Sequence, residues 1–564
     1  MTTPDPKAQR LTRARDRMRI EQSLWVPQWR DCASFCCPQK QKAVDYSYAT
    51  LTQQTRPWFN PFRESSTAID ALNTMAGGLK TYLIPGGDEG WGGAWEPDPA
   101  ISTSTVVKDW LADCTSRSIS PLQRGGFFTA GHELFQDLGV FGTEGFLIEE
   151  GDEQNPIYCQ AIMPMNFVFQ RDWTGLVMEV HITWSKTAKE IKDKFSQPGD
   201  NVPEAVLRDC NGESGDNVHE FMQSIYRRSD GEAAEYREHE PQGQRFASCW
   251  VHISSMTIMR ERGYPEMPFM APRWNSWAGT GPSNYGTSPA MQALADCKGL
   301  NLLDMVMATR AEIEINPRVK VMPDQTSAVD LSPGGITLVN SATSVTEWAV
   351  AGSYPVGKDQ NDVITKRINR AFFTDLFEAI TPIAQQRELN IPVAQMIQRE
   401  SASRITPAMG RIEQEWFNPA LERVFYVLLR AGVFEAPPEE AFHYDAADRP
   451  QFIAPRVVQA NRWTRTINAR KSMAFSQAMG RAIQIAQVKP EILDLYKFED
   501  IARDLDRGDG MPGEWVRTEQ EIAELQAARA KASQEQAVQQ TLLEAAGKQP
   551  MQVAQIATGN IKAA

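Results

Sequence analysis

Histidine is scarce in this sequence, and the usual local patterns of catalytic and metal-binding residues are missing. The 564 residues contain six His and eight Cys, and no two Cys have Cys-x-x-Cys spacing. Neither a zinc ribbon nor a dithiol redox centre is therefore predicted. No Gly-x-Ser-x-Gly sequence of a hydrolase nucleophile occurs. We expect reduced, mostly buried thiols, no catalytic residues, no cofactor and no bound metal.

Long apolar runs are also absent. No stretch approaches the roughly 18 consecutive apolar residues of a membrane-spanning helix. The most apolar run, from Val424 to Phe434, is interrupted by Arg430. The amino terminus is polar and basic and has no apolar signal-peptide core, so a cytosolic location is the expectation and contact with a membrane is not predicted.

Positive charge is in deficit. Lys and Arg number 58 against 71 Asp and Glu, which gives a formal net charge of −13. A protein that grips nucleic acid over its whole surface needs net basic faces, so that class is disfavoured. A channel through which DNA slides remains compatible with this charge.

Two kinds of motif begin and are not completed. Gly352, Gly357 and Lys358 have the spacing of a phosphate-binding loop, but Asp359 follows where Ser or Thr should bind magnesium. We therefore predict a loop that leads into a helix. Two His-Glu pairs begin a zinc-protease pattern, but Gln136 and Gln223 occupy the position of the second His.

The first half of the chain predicts a mixed α+β body. Residues 7–30 indicate a helix or arm with one basic face, and Ser66 to Leu83 has helical spacing of apolar residues. The Gly- and Trp-rich segment that follows is predicted to be irregular. From Val140 the apolar period changes to two, with a hairpin turn at Asp172–Gly175 and a further strand from Phe246 to Ile253. The strands are expected to be antiparallel.

The second half predicts two long helices that bracket a small β region. Ser288-Pro289 offers a helix start, and the helix to Ile313 is apolar on more than one face. Strand-like runs follow between Pro317 and Val350. A second helix, from Asn361 to Ile380, has one apolar stripe, so the chain is expected to go out along one helix and return along the other.

Beyond Pro382 the pattern is polar and then helical again. A polar loop precedes Pro392, and a third helical stretch from Ile405 to Leu428 should kink at Asn418-Pro419 because proline lacks the amide donor. The Ala- and Gln-rich end is expected to lose structure after about residue 530. Six aromatic residues are predicted to anchor the core or an interface: Trp58, Phe59, Trp91, Trp95, Trp274 and Trp277.

Four segments, taken in order, resemble the portal, or head-to-tail connector, proteins of short-tailed bacteriophages. They are the pair Trp25 and Trp29, SSTAIDALNTMAGGLKTYLIP with its following tryptophans, LFQDLGVFGTEGFLIEE from Leu134 to Glu150, and RWNSWAGTGPSNYGTSPAMQALADCKGLNLLD from Arg273 to Asp304. Each motif alone is weak, but their order and spacing are specific. The resemblance extends over about residues 10 to 510.

The resemblance implies a ring-forming α+β subunit with a mixed helical and antiparallel-β wing, two stem helices, a β clip and a helical crown. The implied map is wing at 1–288, stem helix 1 at 289–315, clip at 316–358, stem helix 2 at 359–383, tunnel loop at 384–403, returning wing helices at 404–450, crown at 451–530 and flexible tail at 531–564. Pro392 and Pro407 lie where longer uninterrupted helix is expected, which leaves the loop boundaries open.

The resemblance also implies site residues. Those implied for the tunnel loop, where they would touch or gate DNA, are Gln385, Gln386, Arg387, Glu388 and Asn390, with Arg399 and Arg404 as further candidates for a basic constriction. Those implied for the clip, where they would face the packaging motor and later the tail adaptor, are Arg318, Lys320 and Trp348.

The implied function is that of a ring, usually of twelve copies in that family, at one capsid vertex, through which terminase packages DNA and from which DNA is ejected. The implied partners are further copies of this chain, major capsid and scaffolding proteins, the terminase large subunit, tail adaptor or nozzle and internal core proteins, and double-stranded DNA. The implied location is the virion, with assembly in the host cytoplasm. Two alternatives remain open: another ring-forming head-tail connector or adaptor, and a soluble cytosolic hydrolase.

Overall fold

A computed structural model describes most of the chain up to residue 459. The described residues are 5–45, 65–86, 91–97, 104–212, 214–229, 243–278, 282–315, 319–322, 329–330, 338–339, 341, 343, 345–347, 354–378, 404–444, 450–459 and 478–482. The chain divides into two compact units, Met1–Asn461 and Arg462–Ala564. In the second unit the described residues, 478–482, are helical, and everything below concerns the first.

Helices and strands are interspersed along the first unit. The helices are α1 Pro6–Ser23, α2 Val26–Cys36, α3 Pro38–Asp45, α4 Thr67–Leu83, α5 Thr105–Arg124, α6 Phe127–Phe141, α7 Ala188–Lys194, α8 Glu204–Asn211, α9 Pro289–Ile315, α10 Tyr354–Ala371, α11 Thr374–Glu378 and α12 Asn418–Arg430. The strands are β1 Gly93–Glu96, β2 Gly145–Glu150, β3 Ile157–Ile162, β4 Phe167–Arg171, β5 Val177–Thr187, β6 Val218–Arg227, β7 Phe246–His252, β8 Thr257–Tyr264, β9 Phe269–Met270, β10 Asn275–Ala278, β11 Pro282–Thr287, β12 Val319–Val321, β13 Val345–Glu347, β14 Phe442–Tyr444, β15 Pro450–Phe452 and β16 Arg456–Gln459.

The predicted antiparallel pairing is confirmed for every strand pair in the described residues. The largest sheet has the order β4-β5-β6-β7-β8, a second has the order β3-β2-β9, and the others are two-stranded. The hairpin turn lies where the sequence predicts it, since the Asp172 carboxylate accepts hydrogen bonds from the backbone amides of Thr174 (2.9 Å) and Leu176 (3.0 Å). The fold class is therefore α+β.

A cluster of aromatic rings forms the centre of the helical part. Trp416 is fully buried. Its ring stacks on Phe127 at a centroid distance of 5.8 Å and meets Phe135 and Phe146 edge-on at 5.5 and 5.4 Å. Such rings combine a large buried apolar area with favourable edge-to-face geometry. The predicted anchors Trp91, Trp95 and Trp274 are also buried, while Trp58 and Phe59 and the side chain of Trp277 lie outside the described part.

The structure corrects the prediction of an irregular segment after α4. Residues Gly93–Glu96 form β1, which pairs with β16 in the register Gly93↔Gln459. The partner strand lies more than three hundred residues along the chain, so no local pattern signals it. A second correction concerns Val140, which lies in the last turn of α6 and does not begin a strand; the helix ends at Phe141 because Gly142 terminates it with a left-handed φ of 75°.

The predicted disturbance at Asn418-Pro419 is a widening of the helix rather than a break. Residues 404–412 are helical, Glu413–Phe417 form one π-helical turn, and α12 follows without a gap. The amide of Asn418 bonds to the Glu413 carbonyl, five residues back. A proline removes one donor from the regular ladder, and a π turn accommodates that loss.

The predictions for the thiols and the basic helix are largely confirmed. All eight Cys are free, and five of them are buried. Helix α1 exposes Arg10, Arg13, Arg17 and Arg19, but Arg15 is buried and pairs with Asp16 at 2.7 Å. The basic face is therefore narrower than the run of arginines implies.

Candidate subunit interface

Helix α9 begins at a buried cap. The Ser288 hydroxyl accepts a hydrogen bond from the Met291 amide (3.0 Å) and donates one to the Val140 carbonyl (2.8 Å). Ser is a favoured N-cap residue, and Pro289 fits the first helical position because its missing amide has no partner there. The first turn is therefore fixed to the end of α6, which confirms the predicted helix start.

Helices α9 and α10 form an antiparallel pair, as the sequence predicts. The contacts that join them are Asp296 with Arg367, Asp304 with Asn361, and Met307 with Gly357. As residue numbers rise along α9 they fall along α10, which establishes the direction. At 1.5 Å per residue, α9 is about 40 Å long.

Burial along α9 is graded from one end to the other. The residues of this helix that are buried all lie in its first half: Pro289, Ala290, Ala293, Cys297 and Leu300. In the second half Leu302 is 58% exposed and Val306 is 54% exposed. The first half packs against the body, and the second half presents apolar side chains to solvent.

Exposed apolar side chains concentrate in this region. Of the sixteen large apolar side chains exposed among the described residues, nine lie between positions 302 and 363: Leu302, Met305, Val306, Ile315, Val321, Met322, Leu338, Val339 and Val363. Scattered exposed apolar residues are ordinary, but a concentration of them marks a surface that another molecule covers. We call these nine residues the apolar face.

The predicted β region between the helices is confirmed in part. β12 and β13 pair in the antiparallel register Val319↔Glu347. Within the range Pro317 to Val350, for which the sequence predicts strand-like runs, residues 338–339 are described and are not in a strand. Lys320, a predicted clip residue, lies exposed on β12 opposite Thr346. Arg318 and Trp348 lie outside the described residues.

The second helix begins earlier and ends earlier than the sequence predicts. It runs from Tyr354 rather than Asn361, and it stops at Ala371, where the predicted helix continues to Ile380. Phe373 has a left-handed φ of 58°, which is rare for a bulky residue. Its ring lies 5.8 Å from that of Trp274, so a tertiary contact accompanies the break.

Arg404 is the predicted tunnel-loop residue that the structure places. Its guanidinium forms an ion pair with Asp375 and lies 5.9 Å from the centre of the Phe373 ring. It therefore contacts the segment that follows α10. The remaining predicted tunnel-loop residues lie outside the described residues: Gln385, Gln386, Arg387, Glu388, Asn390 and Arg399.

The two long helices carry opposite net charge. Helix α9 has two Lys and Arg against four Asp and Glu, whereas α10 has four against two. Part of this complementarity is used within the subunit, where Asp296 pairs with Arg367, and an interface between α9 of one molecule and α10 of another would join the remaining charges. Sequence reasoning missed this pairing, and it also missed Val306 and Val363 as exposed residues, since period alone does not tell which apolar side chains are covered.

The incomplete motifs form no site. Gly357 and Lys358 lie inside α10 and not in a loop before it, and the second His-Glu pair lies on strand β6 and not on a helix. In the part of the chain that the structure describes, no cluster of three potential metal ligands occurs. Nor does any described helix combine the length and apolar character that crossing a membrane requires.

The described residues thus combine an antiparallel helix pair, a small β region between the two helices and an exposed apolar face. Residues 8–516 match the family described as bacteriophage head to tail connecting protein, and the chain belongs to this family. The resemblance predicted from the sequence motifs is thereby confirmed.

Two similar proteins are known by name. A probable portal protein of Bordetella phage BPP-1 is 23% identical over 541 residues, which cover 93% of this chain and 91% of the relative. The portal protein of Salmonella phage epsilon15 is 22% identical over 544 residues, which cover 94% of this chain and 92% of the relative. Both similarities extend over nearly the whole of each chain.

Proposed function

We propose that this chain is a structural, non-enzymatic portal subunit that forms a ring at one vertex of a phage head. The observation that carries the proposal is the apolar face on α9, α10 and the intervening β region, joined to membership of the head-to-tail connecting family. In such a ring the second half of α9 is covered by the neighbouring copy. Head-to-tail contacts of this kind close into a ring when a whole number of the rotations that relate neighbouring copies makes one full turn.

The charge distribution supports the same arrangement. When α9 of one copy meets α10 of the next, an excess of two acidic groups meets an excess of two basic groups. Every contact around the ring then repeats this complementary pair. Because Val363 lies on α10 and Val306 on α9, each copy brings exposed apolar side chains to both sides of the contact.

The segment map follows from this proposal. Residues 1–288 and 404–450 are assigned to the wing, 289–315 and 359–383 to the stem, 316–358 to the clip, 384–403 to the tunnel loop and 451–530 to the crown. DNA passes through the central channel, while terminase and later the tail adaptor bind at the clip. Capsid and scaffolding proteins hold the ring at the vertex during assembly in the host cytoplasm.

The assembly is tested by imaging the purified protein in negative stain and measuring its mass by light scattering. Rings with a central hole and a mass of about twelve times 63.2 kDa are expected. A stable particle of 63.2 kDa under all conditions, including added scaffolding protein, would contradict the proposal.

The DNA-contact role of the tunnel loop is tested at Arg387. Arg387→Glu is expected to leave ring assembly intact and to lower the yield of packaged DNA, because a carboxylate repels the phosphates that a guanidinium attracts. Arg387→Lys keeps the charge and serves as the control. A wild-type DNA yield in the Glu variant would reject this assignment.

A further inference from the structure

A cavity of about 260 Å³ lies at the junction of α3, α6, β3 and β5. This volume is several times the roughly 30 Å³ that one water molecule occupies in the liquid. Gln160 and Lys186 line it and are exposed, whereas Ile182 and Ser185 line it and are buried. The cavity therefore has an open rim and a closed floor.

The cavity is also lined by a buried carboxyl group that shares its nearest cation with another carboxylate. Glu144 is 0% exposed, and among the described residues neither of its carboxyl oxygens has a hydrogen-bond donor. The neighbouring carboxylate, Asp137, is also buried and forms an ion pair with Lys40 at 2.5 Å. Two carboxyl groups thus share one ammonium, and the second needs a proton or another cation.

In the isolated chain, a proton on Glu144 neutralises this second carboxyl group. Burial, followed by the nearby charge of Asp137, raises the pKa of Glu144 well above its ordinary value. The charged groups that face Glu144 are Asp137 and Glu133 from α6, Lys40 from α3 and Lys186 from β5. A carboxylic acid is the form that a group with two acidic neighbours adopts in low dielectric.

One more polar group on the cavity wall lacks a partner within the described structure, the indole nitrogen of Trp184. Unpartnered buried polar groups are costly unless something occupies the space beside them. The side chains of Ile162, Met163 and Ile182 supply apolar surface along the same wall.

We propose that this cavity binds an alkylammonium group, with its positive end at Glu144 and its methylene chain along Ile162 and Ile182. The carboxylate accepts the ammonium hydrogens, and Trp184, which lies on the same face of β5 as Ile182, lines the same wall. The group comes either from a free aliphatic amine or from a lysine side chain of a neighbouring copy.

Binding exchanges one cation for another. Glu144 releases its proton to solvent, and the ammonium takes the place of that proton beside the carboxylate. Charge is conserved, since one positive charge leaves as another enters. The affinity should therefore rise with pH over the range in which the free site is still protonated.

The test is calorimetric titration of the purified protein with n-butylamine, which is the side chain of lysine, at pH 8 in two buffers of different ionisation enthalpy. The neutral isostere n-butanol is titrated in parallel. We expect the amine to bind about tenfold more tightly than the alcohol, as charge-assisted hydrogen bonds require. The difference between buffers should show that protons are released when the amine binds.

Two variants test whether the preference for the amine over the alcohol arises at Glu144. Glu144→Gln preserves shape and should remove the preference for the amine over the alcohol. Glu153→Gln, which alters an exposed carboxylate outside the cavity lining, should change the affinity by less than about threefold because a distant exposed charge contributes little. The comparison of amine with alcohol on the wild-type protein needs no variant, so poor folding of Glu144→Gln leaves the test intact.

The source of the amine is separated by titrating the assembled ring and the free subunit. This step rests on the proposed ring, whereas titration of the subunit does not. Equal binding by both forms supports a free amine; loss of binding in the ring, with weaker assembly of Glu144→Gln, supports a neighbour's lysine. Equal affinity for amine and alcohol, or no proton release, would show a water-filled cavity and overturn the proposal.

Discussion

A single charged substitution in the apolar face should abolish assembly without unfolding the subunit. We choose Val306→Asp because Val306 lies in the second half of α9 and is 54% exposed. In the isolated chain its replacement removes little buried area. Val and Asp also differ only slightly in helix propensity, so the free energy of unfolding should change by less than about 1 kcal/mol.

The cost in the ring is much larger. Fully burying a Val side chain is worth about 1.5–3 kcal/mol, and half of this side chain remains to be covered, so about 1 kcal/mol is lost at each contact. The new carboxylate must also be desolvated without a partner, which adds several kcal/mol. The affinity between neighbouring copies should fall by a factor of at least about 100.

The matched control is Val106→Asp on α5. Val106 has the same side chain and is 50% exposed, but it lies far along the chain from the apolar face. Analytical ultracentrifugation should show subunits for Val306→Asp and rings for Val106→Asp, with both variants retaining the wild-type circular dichroism. Rings of wild-type mass in Val306→Asp would refute the assignment of this face.

Two further predictions concern the body of the subunit. Gly142→Ala should lower the free energy of unfolding by more than Gly175→Ala does: both glycines have positive φ, but of the two only Gly142 would have its new Cβ 2.5 Å from a backbone oxygen, that of Gly286. In urea unfolding we expect a loss of about 1 kcal/mol for Gly175→Ala and of about 2 kcal/mol or more for Gly142→Ala. Equal losses would argue against the close approach at Gly142. Burial, and to a lesser extent the charge of His219, lower the pKa of His252 to about 4. As the pH falls from 7 to 5 the unfolded chain therefore takes up a proton that the folded chain does not, and the free energy of unfolding should fall by about 1–2 kcal/mol. His252→Asn should make the free energy of unfolding less dependent on pH over this range, and an unchanged dependence would contradict the prediction.

The sequence predicts the long helix α9 well because its start is chemically local. Ser288 and Pro289 favour a helix start in any context, and the next proline is Pro317, beyond the end of the helix at Ile315. The antiparallel hairpin β4-β5 is likewise encoded by alternation and by the Asp172 turn. The stability of these two elements depends on interactions between residues that are close together in the sequence.

The end of α10 shows the opposite case. Its apolar stripe continues through Phe372 and Leu376, so periodicity predicts one unbroken helix. The break at Phe373 accompanies contacts with Trp274 and Arg404, which are distant in the chain. Such contacts leave no periodic signal at the break itself.

The candidate sites show the same contrast between local sequence signals and contacts that form only on folding. From the sequence, α9 is apolar on several faces, but the structure alone identifies which of its apolar residues are covered. The cavity at Glu144 has no signature at all in the sequence, because Lys40, Asp137 and Glu144 come from separate elements and meet only in the folded chain.

The sequence by itself determined the α+β class and the order of the long elements, through apolar period and the chemistry of helix caps and turns, and it indicated the family through the resemblance of four ordered motifs. Which surfaces stay exposed, where α10 stops and which charges lie buried together were decided by the tertiary structure. These properties depend on side chains brought together across hundreds of residues, and burial is a property of that packing.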